Sequence, residues 1–304
     1  MHAGPRPRTT ALAALALAAA CGSNREPPAA PAPEPTPSPA GQAKESAGPP
    51  DGEELVRLHL LADTTRVAPG QELTLAARFD IAPGWHLYWI NPGESGLATE
   101  AAFTAPAGFE VGPVRYPGPV RFDSPGDITS YGYHDLVLLS AVASAPDRME
   151  PTTPRSGVQF SVQASWLACR EVCVRGQGGA ALDLPVASAE EPAQPAHAEL
   201  FEQHRAALPR PLAELEGARH RWDRAGDTPR LHLDVPGATR LEYFPPTGED
   251  LRLFGQASVP AEGGARITLS FKPGDPASAR GVLAVTAGDR IRYYQLHLME
   301  EAPR

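Results

Sequence analysis

The chain has 304 residues, room for two domains of ordinary size. Its 36 acidic against 27 basic side chains leave a formal net charge of −9, which excludes the positive field of a nucleic-acid binder or a polybasic membrane-surface patch. The 35 prolines and 28 glycines, about a fifth of the chain, disfavour a helical bundle, and three cysteines are too few for a disulfide-stapled miniprotein.

Residues 1–20 read as a signal peptide. Arg6 and Arg8 precede an apolar run over 11–20, too short for the ~20 residues that a membrane-spanning helix needs. The run ends Leu17-Ala18-Ala19-Ala20-Cys21-Gly22-Ser23, small residues before a cysteine that resemble a bacterial lipobox, with Ala18 where Leu is usual. The expectation is a lipid on Cys21, which becomes the first residue of a membrane-anchored envelope protein. Cleavage after Ala20 without lipidation is the alternative, leaving Cys21 a free thiol. No second long apolar stretch follows. Residues 21–52 then form the lipidated cysteine and a tether. From Gly22 to Pro50 there is no aromatic and no β-branched aliphatic residue, so ordering entropy wins and the segment is expected to be disordered. Its proline content favours extended polyproline II, which at ~3.1 Å per residue reaches roughly 90 Å.

Residues 53–188 read as a β-sandwich. Leu55 to Leu60 nearly alternate, a turn follows at Pro69-Gly70, and residues 72–81 place Leu73, Leu75, Ala77 and Phe79 on one face. A second turn at Pro83-Gly84 leads into Trp85-His86-Leu87-Tyr88-Trp89. Further strands are expected over 109–114, 136–142, 157–168 and 180–186. Between Asn91 and Ser130 the Gly, Pro and Ser content predicts long loops at one end of the sandwich, where sites tend to lie.

Residues 189–304 read as a linking helix and a second β-sandwich. Leu200, Phe201, His204 and Leu208 have helical spacing over 196–208, stopped by Pro209 and Pro211. Alternating segments follow over 230–235, 241–244, 251–254, 267–271, 282–285 and 291–298. This half holds no cysteine, and His232 and His297 read as strand-surface residues rather than ligands. The fold class is therefore all-β, two sandwiches after a leader and a tether.

The chemistry concentrates in Trp166-Leu167-Ala168-Cys169-Arg170-Glu171-Val172-Cys173-Val174. On a straight strand the two cysteine Cα atoms would lie about 13 Å apart, beyond disulfide reach; on a hairpin with residues 170–172 at its tip they would face each other. So short a loop restrains the unfolded chain by only about 2 kcal/mol, a weak staple that suits reversible exchange. A structural disulfide and a metal site are the other readings of the spacing, the metal lacking nearby partner ligands. No cofactor is called for.

These segments together resemble the periplasmic N-terminal region of the DsbD/ScsB thiol:disulfide interchange family. The resemblance is carried by Gly84-Trp85-His86-Leu87-Tyr88-Trp89-Ile90-Asn91-Pro92-Gly93-Glu94-Ser95-Gly96-Leu97, by Ser130-Tyr131-Gly132-Tyr133 ahead of Leu136-Val137-Leu138-Leu139, and by Trp166-Leu167-Ala168-Cys169-x-x-x-Cys173. Tyr243-Phe244-Pro245 resembles a strand of the second domain in the copper-tolerance branch. The similarity extends over roughly 55–298. It implies immunoglobulin-like domains and a cysteine pair, Cys169 and Cys173, that passes reducing equivalents to exported disulfide proteins, with Cys173 attacking and Cys169 resolving. It also implies an aromatic cap over the pair, for which Tyr131 and Tyr133 are the matching residues. Trp85, Trp89 and Trp166 read as core. The transmembrane and thioredoxin-like domains of full-length members are not in this sequence, so the expected partners are exported redox proteins, thioredoxin-like or a transmembrane electron donor. The expected location is the periplasm-facing side of a bacterial envelope membrane. The alternative is a non-catalytic lipoprotein with a structural hairpin disulfide.

Overall fold

The structure, a computed structural model, describes residues 52–149, 157–247, 253–272 and 278–299. The leader, Cys21 and the tether up to residue 51 lie outside the described residues, as do positions 251 and 252 of the strand expected over 251–254. The described residues all belong to one compact unit, Ala47–Arg304. The architecture is predominantly β-sheet, in two sheet-rich domains.

The first domain opens with one helical turn, α1 (Gly52–Leu55), followed by β1 (Val56–Ala62), β2 (Glu72–Ile81), β3 (His86–Gly93), β4 (Glu100–Thr104) and β5 (Glu110–Val111). Then come β6 (Val120–Ser124), β7 (Ile128–His134), β8 (Leu136–Ser144), β9 (Gly157–Cys169) and β10 (Cys173–Pro185). A four-stranded sheet runs β1-β2-β8-β5, and a six-stranded sheet runs β10-β9-β3-β7-β6 with β4 paired to β9. The core forms between them because alternate residues point the same way. Leu73, Leu75, Ala77 and Phe79 of β2 meet Phe160, Val162, Ala164 and Trp166 of β9 in one buried cluster. Burying that many apolar side chains, each worth about 1.5–3 kcal/mol for the larger ones, sets the sheet register.

The region between Asn91 and Ser130 is not a set of long loops. It contains β4, β5, β6 and the start of β7. Glycine and proline keep these strands short, but each finds backbone partners, β4 on the distant β9 and β6 on β7, the next strand of the chain. The strand expected over 109–114 shrinks to β5, which pairs with the end of β8.

The linking helix, α2 (Ala198–Ala207), lies against the outer face of the four-stranded sheet. Phe201 buries its ring beside Ala76 and Leu138, and His204 Nε2 lies 2.7 Å from Ser140 Oγ. Burial, with Arg115 and Arg205 adding to it, holds the His204 imidazole down at about 4.

The second domain comprises β11 (Arg210–Pro211), β12 (Arg219–Asp223), β13 (Arg230–Pro236), β14 (Arg240–Phe244), β15 (Leu253–Ala261), β16 (Gly264–Phe271), β17 (Ser278–Ala287) and β18 (Arg290–Met299). Its sheets run β11-β18-β17-β14 and β12-β13-β16-β15 around a core that includes Leu231, Leu233, Ile267, Leu269 and Leu283. His232 engages Thr268 Oγ1 at 3.0 Å, and His297 is exposed on β18. The domains meet through aromatic rings. Phe244 packs edge-on against Tyr131 and Trp89, with ring centroids 5.3 and 6.3 Å apart. Asn91 Nδ2 donates to the Pro245 carbonyl at 2.9 Å, and Tyr293 donates to that of Pro119 at 3.3 Å. Residue 118 is glycine where the Tyr293 ring leaves no room for a side chain.

Candidate functional site

β9 and β10 form one long antiparallel ladder that ends with Cys173 directly opposite Cys169. Arg170 N–H donates to the Val172 carbonyl at 3.1 Å and closes the three-residue turn. The cysteine Cα atoms are 4.2 Å apart and the sulfurs are bonded. The two sulfurs differ in access: Cys169 is 2% exposed, whereas Cys173 lies open at the start of β10. Exposed Glu171 and Val172 form the tip, and the Arg170 guanidinium carbon lies 5.3 Å from the centre of the Trp85 ring.

Pleat alternation decides what surrounds the pair. Trp166 and Ala168 point into the core, so Leu167 and Cys169 face outward, where they form a small buried cluster with Tyr88. The Tyr88 oxygen is 3.9 Å from Cys173 Sγ, and with the disulfide closed only the phenol can donate. Residues 95–99 hold Tyr88 in place. Ser95 bonds its phenol, Thr99 N–H donates to its carbonyl at 3.2 Å, and Gly96, at φ +108°, lies so close to the ring that no side chain fits. Burial raises the Tyr88 phenol above its ordinary range, the Ser95 bond opposing it, so it is a neutral donor at physiological pH.

His86 is the other group on this face. It is the Cα partner of Cys169 on one side and of His134 on the other. Its ring stacks on Phe122 at 4.4 Å and meets Tyr88 edge-on at 5.1 Å. Nε2 of His86 is buried without a hydrogen-bond partner, and burial pushes the imidazole below its ordinary value.

Tyr131 and Tyr133, expected as the cap, are not brought to the cysteines. Gly132 pairs with Tyr88 and faces outward with it, so both tyrosines on either side of it point into the core. Tyr131 packs on Phe244, and Tyr133 donates to the Pro117 carbonyl at 2.8 Å. The aromatic beside the pair is Tyr88 instead. Trp85, Trp89 and Trp166 are core residues, as the sequence suggested. His86, Tyr88 and Phe122 went unassigned in the sequence. The available signal was the alternation of Trp85, Leu87 and Trp89, which sends His86 and Tyr88 to the opposite face.

Residues 58–185 match the family model described as "Thiol:disulfide interchange protein DsbD, N-terminal". This stretch is a DsbD N-terminal-like domain. The match starts in β1 and stops at the last residue of β10, so it takes in both sheets and the cysteine hairpin. Among solved structures, the N-terminal periplasmic domain of ScsB from Proteus mirabilis aligns at a TM-score of 0.57 and 18% identity, covering 79% of this chain and 92% of that one. The likeness is one of fold, and that coverage extends it beyond the DsbD N-terminal-like domain. The DsbD N-terminal domain of Neisseria meningitidis, in its reduced form, aligns over 47% of this chain and 93% of its own at 15% identity and a TM-score of 0.27. No curated protein matches the chain. Among the described residues no helix is long and apolar enough to cross a membrane.

Proposed function

We propose that the chain is an exported thiol-disulfide exchange protein, with Cys173 as the exchanging sulfur and Cys169 as the resolving one. The observation that carries this is the asymmetric disulfide, one sulfur buried and one open, at the tip of a hairpin inside the DsbD N-terminal-like domain. Reduced, the Cys173 thiolate attacks a partner disulfide and forms a mixed disulfide, releasing one partner sulfur. Cys169 then attacks Cys173, closes the intramolecular bond and releases the second partner sulfur, so the pair loses two electrons and the partner gains them. The partners are exported redox proteins, either thioredoxin-like or a transmembrane electron donor. Both sandwiches are read as immunoglobulin-like, and the setting as the periplasmic side of an envelope membrane, with a lipid on Cys21.

The reduction potential tests the exchange reading. An exchanging pair should lie above about −300 mV, and Cys169→Ser should trap an exported protein on Cys173 as a mixed disulfide. A potential well below that value, with nothing trapped, would assign the bond a structural role. Intact-mass spectrometry should find a diacylglyceryl group on Cys21 as the first residue; an unmodified N-terminus would remove the anchor.

A further inference from the structure

A closed disulfide carries no proton. His86, whose buried Nε2 has no hydrogen-bond partner, is the cross-strand neighbour of Cys169, whose bonded sulfur has nothing to donate. Directly opposed residues on adjacent antiparallel strands hold their Cβ atoms about 4.5–5.5 Å apart, so opening the bond adds an S–H donor to the side chain directly across the ladder from His86. Leaving a buried acceptor unsatisfied is costly, and the open state relieves the cost. We propose that His86 is the proton acceptor for Cys169 in the step that closes the disulfide.

The inference rests on exchange at Cys169 and Cys173. Cys169 lies among Tyr88 and Leu167, apolar surroundings that disfavour a thiolate, so its attack needs a base close by. His86 supplies it. Burial keeps the ring neutral near pH 7, and with its proton on Nδ1 it presents a lone pair at Nε2. Cys169 S–H gives its proton to Nε2, and the sulfur attacks Cys173 Sγ. The Cys169–Cys173 bond forms as the bond from Cys173 to the partner sulfur breaks, and that sulfur leaves with the electron pair. The imidazolium returns the proton to the departing thiolate, and the ring is neutral again.

The groups around His86 leave it as the base. From β3 comes the Tyr88 phenol, from β6 the uncharged Phe122 ring, and from β9 Cys169 itself. From β7 comes His134, whose Nδ1 lies 2.7 Å from the Asp135 carboxylate. The nearest cation of the turn, Arg170, is held over Trp85.

The test uses the reduced full-length protein and 5,5′-dithiobis(2-nitrobenzoate), followed by stopped-flow absorbance. The first thionitrobenzoate released reports attack by Cys173 and the second reports resolution by Cys169. In His86→Phe, which keeps a ring for the Phe122 stack, the second phase should slow at least about tenfold at pH 7 and its pH midpoint should rise, with the first phase unchanged. His86→Gln, which keeps a polar group but cannot take the proton, should behave the same way, whereas His134→Phe should match wild type. A second phase with wild-type rate and pH midpoint in either His86 variant, folded by circular dichroism, overturns the inference alone. A wild-type protein that releases no second equivalent overturns the exchange reading and this inference with it.

Discussion

Strand β3 and its neighbours present two faces built from interleaved residues of the same sequence. Inward, Trp85, Leu87 and Trp89 join Tyr131, Tyr133 and Trp166 in a filled core, and both tyrosines have partners in or beyond it. Outward, His86 and Tyr88 lie beside Cys169 with a nitrogen left unpaired and a phenol held 3.9 Å from sulfur. The inner face is specified by volume, since any void there costs free energy. The outer face is specified by chemistry and leaves a buried polar group unsatisfied beside the disulfide strand. Aromatic residues two positions apart along one strand thus share a role, and those one position apart do not.

The largest effect should come from the inner face. Trp166→Ala removes a ring that meets Phe79 edge-on at 5.8 Å and an indole N–H that donates to the Gly52 carbonyl at 3.1 Å. Unfolding by denaturant should show a loss of about 3–5 kcal/mol. Replacing both cysteines by alanine on the outer face should cost about 2 kcal/mol or less, because the loop they close is short. Equal losses would erase the distinction between the faces.

Next in size is the pH dependence set by His204, on the outer face of the other sheet. Its folded value of about 4 lies below the ordinary 6.5, so folding favours the neutral ring. The stability this gives is present in full above pH 6.5 and is lost as pH falls from there toward 4, up to roughly 3 kcal/mol. His204→Gln, which can still bond Ser140, should flatten that part of the stability curve measured by urea titration.

The smallest effect in free energy is the most informative about the site. Tyr88→Ala should speed alkylation of reduced Cys173 by iodoacetamide several-fold. Tyr131→Ala should leave that rate at the wild-type value while weakening the packing on Phe244. The reverse pattern would return the cap to Tyr131.

Most strands could be read from period-two alternation, and residues 72–81 matched β2 end to end. The disulfide was legible too, because a hairpin pairs residues that are near in sequence and its register follows from the turn. The strands between Asn91 and Ser130 were not, since Gly and Pro mask short segments whose backbone partners lie on β9 and β7. Nor could the sequence say which aromatics flank the cysteines. That depends on β3 lying between β9 and β7, with His86 opposite Cys169 and Gly132 opposite Tyr88, a pairing made between distant parts of the chain. A single-residue change of that register would exchange the faces and bring Tyr131 and Tyr133 outward. By itself the sequence determined the β class, the hairpin and the identity of the bonded cysteine pair, all consequences of local periodicity and turn chemistry. The tertiary structure alone decided that His86 and Tyr88 attend the sulfurs while Tyr131 meets Phe244 of the second domain, because long-range strand order determines which residues share a face.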